Sequence, residues 1–137
     1  MRSILAQAGE APAPRLRTRG RVLRFDPRCA DPRGWRLAEL VAGERGIPIE
    51  ALFYPERCTA DVALARQLAM YLMHVAFGRL YADVGRFFGR DRTTVSHACA
   101  VIEELREAPE FEEIVARLEA ALADATEAER ETADATA

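Results

Sequence analysis

Between residues 81 and 97 the chain reads YADVGRFFGRDRTTVSH, and its second half concentrates side chains that can read nucleic acid. An Arg fork matches O6 and N7 of guanine, an Asp accepts from N4 of cytosine, and a Thr methyl packs on a thymine methyl. Arg90, Asp91, Arg92, Thr93, Thr94, Ser96 and His97 supply such groups within two helical turns. A recognition helix contacts base edges with its N-terminal turns, and Asp91 is placed to cap that helix. The free amides of its first turn suit a phosphate, and the flanking Arg86 and Arg90 are assigned to phosphate as well. The plainer reading is that Asp91 only caps, that the two threonines fill a first turn, and that His97 is an ordinary surface residue. The rest of the chain has to separate these readings. Catalysis is not expected, because no nucleophile or carboxylate partner accompanies His97.

The elements that must hold this cluster follow from apolar spacing and from Gly, Pro and Asp punctuation. Tyr81, Val84, Phe87 and Phe88 predict a short helix at about 81–88, broken by Gly89. Val95, Ala98, Cys99, Ile102 and Leu105 form the inward face of a helix at about 92–106. Two short helices across a tight glycine turn outline a helix-turn-helix. Before them, Leu64, Leu68, Tyr71, Leu72 and Val75 stripe a long helix at about 62–77, with Met70 and Met73 as gap-fillers and Gly78 as its stop. Leu37, Leu40 and Val41 mark an earlier helix that begins near Trp35, and Pro48 opens a short one carrying Ile49, Leu52 and Phe53. Pro109 opens a last helix at about 109–124 with Phe111, Ile114, Val115, Leu118 and Leu122 inward. The expected architecture is an all-α helical bundle over residues 34–124. Residues 1–33 read as an Arg-rich mobile arm, and residues 125–137, without apolar periodicity, as a disordered acidic tail.

Net charge is −3, which alone argues against a nucleic-acid partner, but the charge is segregated. Residues 1–36 carry nine Arg against three acids (+6), residues 37–102 seven against seven (0), and residues 103–137 three Arg against twelve acids (−9). Arg15, Arg17, Arg19, Arg21 and Arg24 form either an electrostatic arm for phosphates or part of a short strand whose Val22, Leu23 and Phe25 dock on the core. Three scattered cysteines, Cys29, Cys58 and Cys99, fit reduced thiols. With His74 and His97 they show no metal-ligand spacing, and no metal or other cofactor is expected. No apolar run is long enough to span a membrane and no signal-peptide core is visible. A cytoplasmic, nucleoid-associated protein is therefore expected.

Residues 65–105 resemble the C-terminal DNA-binding domain, domain IV, of the bacterial replication initiator DnaA. The stretches that carry the resemblance are RQLAMYL (66–72), VGRFFG (84–89), RDRTTV (90–95), SHAC (96–99) and IEEL (102–105). A weaker match extends from about residue 37 to about 123. The resemblance implies a DnaA domain IV-like fold with double-stranded DNA as its partner. It implies that Asp91, Arg92, Thr93, Thr94 and His97 face bases in the major groove. It also implies that Arg66 and Gln67, together with the backbone of Tyr81 and Ala82, lie on phosphate.

Four departures from the family pattern bear on function. No Gly-x-x-x-x-Gly-Lys-Ser/Thr loop is present, so a stand-alone protein without the ATPase module, and without a bound nucleotide, is expected. Arg92 stands where the family has His, which favours guanine. The turn at Gly89–Arg90 is one residue shorter. Ala60 falls at or near the family's minor-groove Arg, and Ala100 and Val101 stand where basic residues follow the recognition His. These losses predict weaker phosphate binding, which the arm at 15–24 could offset. The leading expectation is sequence-specific binding at DnaA-box-like sites that regulates replication initiation or transcription, with the initiator or polymerase as protein partners. The alternative is a protein-interaction module that kept the fold and lost specific DNA binding. Exposed Arg86, Arg90 and Arg92 on one face favour the first; buried or ion-paired guanidinium groups favour the second.

Overall fold

A computed structural model describes residues 15–18, 21–24, 26–55 and 59–136. β1 (Arg15–Thr18) and β2 (Arg21–Arg24) pair antiparallel, with Arg15 opposite Arg24 and Arg17 opposite Val22. Apart from this hairpin the described chain is all-α. α1 (Pro27–Ala30) and α2 (Pro32–Arg45) both start on a proline behind an aspartate cap: Asp26 accepts from the Arg28 amide and Asp31 from the Gly34 amide. α2 thus begins three residues before Trp35, and the arm expected over 1–33 includes the hairpin, α1 and the first residues of α2. A 3-10 helix (Ile49–Phe53) leads towards α3 (Ala60–Phe77), which Thr59 caps at the Val62 amide. α4 (Tyr81–Phe88), α5 (Arg92–Leu105) and α6 (Pro109–Thr136) complete the chain.

α3 is the central rod. Leu68, Leu72, Met70, Met73, Ala65 and Ala69 are buried around most of its circumference, and α2, α4, α5 and the 3-10 helix pack against it. Its stripe departs from expectation at one end: Val75 is 46% exposed, while Phe77 in the same turn packs against the core. Leu105, expected inward, is also exposed at the end of α5. Phe53 sits at the hub of an aromatic cluster. Its ring stacks on Trp35 at 5.5 Å and on Phe88 at 5.2 Å and meets Phe87 edge-on at 5.4 Å. Each such aromatic contact adds about 1 kcal/mol beyond apolar burial, so the 3-10 helix is clamped between α2 and α4.

Residues 125–136, read from sequence as a disordered tail, continue α6. Ala and Glu are good helix formers, and the extension has partners. Arg33 donates to Thr126 Oγ1 at 3.1 Å and Arg36 pairs with Glu129 at 3.1 Å. The near end of α6 is fixed by Arg106, which forks onto Glu112 at 2.6 and 2.8 Å and reaches Glu119 and the Tyr71 hydroxyl. That fork holds the Glu112 carboxyl below its ordinary range.

Candidate nucleic-acid interface

α4, Gly89 and α5 form a helix-turn-helix whose turn depends on two glycines. Gly89 ends α4 in the left-handed region at φ 72°, which costs a side-chain-bearing residue more than glycine. Gly85 faces the turn so closely that a Cβ there would collide with the Arg90 carbonyl oxygen. The Arg90 amide donates to the Gly85 carbonyl at 2.8 Å across the same gap. α4 therefore lies against the turn, and the start of α5 is set directly beside it.

Asp91 caps α5 with extended backbone. Its Oδ1 accepts from the Thr94 amide at 3.0 Å and from the Thr94 hydroxyl at 3.1 Å. These bonds, the amide bond first, lower the Asp91 pKa. The capping reading and the base-reading one are thus compatible: Oδ1 serves the helix, and the Thr94 hydroxyl proton points to Asp91 while its methyl remains. Arg92 and Thr93 occupy the first two helical positions, fully on the exposed side, and Arg92 makes no hydrogen bond or ion pair among the described residues. His97 is exposed too, four residues after Thr93 and so on the same face. The opposite face, Val95, Ala98, Cys99 and Ile102, is buried. Burial pushes the Cys99 thiol up to about 11, with Glu103 adding to the effect, so it is an inert core group.

The residues expected on phosphate divide. Tyr81 and Ala82 open α4, whose N-terminus has no side-chain cap. Tyr81 is held by its ring against His74, centroids 4.4 Å apart, while His74 Nδ1 donates to the Arg79 carbonyl at 2.8 Å. Gln67 is half-buried on α3. Arg86 is exposed and pairs with Asp83 at 2.9 Å. Arg66 departs from expectation. It is only 7% exposed, and its guanidinium donates to the carbonyls of Leu52 at 2.9 Å, Ala51 at 3.2 Å and Tyr54 at 3.4 Å. A buried guanidinium needs its donors satisfied, and in the free protein the carbonyls at the end of the 3-10 helix take up those of Arg66. Arg90 is partly engaged in the same way, donating to the Tyr54 carbonyl at 2.9 Å. No sequence signal marks these acceptors, because they are backbone atoms.

The far part of α5 is acidic. His97, Ala100 and Val101 border a shallow groove with Glu103, Glu104 and Glu107. The exposure test for the arginines therefore splits: Arg92 is exposed without an ion pair among the described residues, Arg86 is exposed but ion-paired, and Arg90 is partly withdrawn. Of the arm, Arg15, Arg17, Arg21 and Arg24 lie on the hairpin strands, and Arg19 lies outside the described residues. Residues 56–58 of the loop before α3 also lie outside them; Ala60 is the first residue of α3.

Residues 36–102, from α2 to the last turn of α5, match the family described as bacterial dnaA protein helix-turn-helix. This segment is a DnaA-type helix-turn-helix domain. The chromosomal replication initiator protein DnaA of Acinetobacter baumannii is 44% identical over 69 residues, which are 49% of this chain and 15% of that protein. The protein of the same name from Rickettsia canadensis is 48% identical over 48 residues, covering 34% of this chain and 10% of that one. The chain thus spans about one-seventh or less of these relatives. The DnaA-type segment contains Gly85, Asp91, Thr93, Thr94 and His97, and it ends before the acidic α6 begins. No described helix is long and apolar enough to cross a membrane.

Proposed function

We propose that this chain binds double-stranded DNA with the start of α5 in the major groove and acts by occupying DnaA-box-like sites. The observation that carries the reading is the exposed Arg92 guanidinium at the first position of α5, without a hydrogen bond or ion pair among the described residues and on one face with Thr93 and His97. Arg92 would fork onto guanine, the Thr93 and Thr94 methyls would meet thymine, and His97 would read one turn further on. Asp91 would hold the helix start while its second oxygen accepts from a cytosine. The uncapped amides at Tyr81 and Ala82, with Gln67 and Arg86, would lie on phosphate. Arg86 must leave Asp83 to do so, a small cost for an exposed pair. The hairpin arginines Arg15, Arg17, Arg21 and Arg24, with Arg19, would add sequence-independent attraction.

The match to chromosomal replication initiators supports a role in controlling replication initiation, or transcription near the same sites. Because the DnaA-type segment brings no Walker loop, the physical outcome is occupancy: competition with the initiator, or hindrance or help to polymerase. This reading places the protein with the nucleoid in the cytoplasm. A second reading, a protein-interaction module, is favoured by the Arg86–Asp83 pair and by the acidic far part of α5. Titration of a DnaA-box duplex and a scrambled duplex across a salt series tests both. Tighter binding to the box that Arg92→Ala and His97→Ala both weaken supports the DNA reading. Absence of binding to either duplex near physiological salt overturns it in favour of the second.

A further inference from the structure

Arg90 stands between the two parts of the molecule that the DNA-binding reading needs to keep in register. Its amide is tied to the Gly85 carbonyl at 2.8 Å, which fixes its backbone to α4. Its Nη2 donates to the Tyr54 carbonyl at 2.9 Å, thirty-six residues earlier, and its Nη1 lies 3.4 Å from the Gly89 carbonyl. Tyr54 closes the 3-10 helix through its amide, which donates to the Ala51 carbonyl, and its own carbonyl also receives Arg66, whose guanidinium already spans the carbonyls of Ala51 and Leu52. Two guanidinium groups, one from α3 and one from the turn, therefore meet at one backbone oxygen. The 3-10 helix is itself immobilised by the Phe53 cluster. α5 is buried against α3 and α4 through Val95 at the end of its first turn and through Ala98, Cys99 and Ile102 beyond it. Arg92, Thr93 and Thr94 are exposed, and of the three only Thr94 is tied down, by its two bonds to Asp91.

We propose that Arg90 is a positioning residue: its side chain struts the turn against the end of the 3-10 helix and so aims the first turn of α5, instead of taking a phosphate itself. A guanidinium suits this because its planar fork reaches a fixed acceptor with little freedom to lose, whereas an ammonium on a flexible stem does not hold a direction. The proposal rests on the DNA-binding reading for its consequence, but the strut itself exists without DNA.

The test uses the full chain and its Arg90→Ala and Arg90→Lys variants, with Arg86→Ala beside them as a phosphate-contact control. Amide hydrogen exchange in the free protein is read at residues 51–54 and 91–94. The strut predicts exchange faster by about tenfold at both segments in Arg90→Ala, with the amides of α3 unchanged. Binding to box and scrambled duplexes is then measured across salt. The strut predicts that Arg90→Ala and Arg90→Lys both lose preference for the box by about tenfold, while the salt slope stays within about half a unit of the parent. Arg86→Ala should instead lower the slope by about one unit and keep the preference. Unchanged exchange at 51–54 and 91–94 overturns the proposal, and so does a slope lowered by about one unit with the preference intact. If the parent binds neither duplex, the DNA-binding reading fails, and the exchange result alone still decides whether the strut exists.

Discussion

The two ends of α5 belong to one helix and face opposite electrostatic tasks. Its start presents Arg92, Thr93 and His97 beside a capped N-terminus, where the helix dipole is positive and attracts anions. Its end presents Glu103 and Glu104, with Glu107 in the turn that follows, while Arg106 just beyond the helix is occupied by Glu112 and Glu119. A duplex lying along the whole helix would meet repulsion over its second half. On the proposed reading, the comparison teaches that α5 would meet bases with its first turns alone, and base preference would depend on how well those turns are aimed.

The largest effect expected from breaking this arrangement comes from Gly85→Ala. The added methyl collides with the Arg90 carbonyl, a backbone atom that cannot move without shifting the turn. Overpacking of this kind should cost about 3 kcal/mol, read as a lower urea midpoint, together with lost discrimination between duplexes. Next is Arg92→Ala, which should weaken binding to the preferred duplex by about 2 kcal/mol and leave the thermal midpoint in place, since the side chain is exposed and makes no hydrogen bond or ion pair among the described residues. Unaltered binding would mean that the start of α5 does not read bases.

Smaller, and opposite in sign, is the effect of Glu103→Gln with Glu104→Gln. Removing charge from the acidic end should raise affinity for any duplex by about 0.5 kcal/mol without altering base preference, as a gel-shift series would register. A change in preference would show that the far end of α5 also touches bases. The smallest effect is on pH dependence. The carboxyls of Asp91 and Glu112 both titrate below their ordinary values in the folded protein. Each therefore contributes stability that is fully present above its unfolded pKa, about 4, and is lost as pH falls through the lower folded value. The thermal midpoint should fall on acidification below about pH 4, and Glu112→Gln should flatten part of that fall.

Much of the interface was legible in the chain because its punctuation is local. Gly89 stops α4, Asp91 starts α5, and the apolar spacing of Val95, Ala98, Cys99 and Ile102 turns Arg92, Thr93 and His97 outward. Less legible was the end of α6. Residues 125–136 show no apolar stripe because their described partners are charged and polar groups of α2, Arg33 and Arg36, ninety-odd residues away.

What the sequence by itself determined was where the helices of the DnaA-type domain begin and end and which side chains face out at the start of α5, since caps, breakers and helical period act over a few residues. What only the tertiary structure decided was the duty of the arginines. Arg66, Arg90 and Arg92 look alike as letters, and a guanidinium carries the same charge and donors wherever it stands. Among the described residues, the fold brings backbone carbonyls to the first two and none to the third. Those acceptors are brought close only by long-range packing of the 3-10 helix against α3 and the turn, which no local pattern encodes.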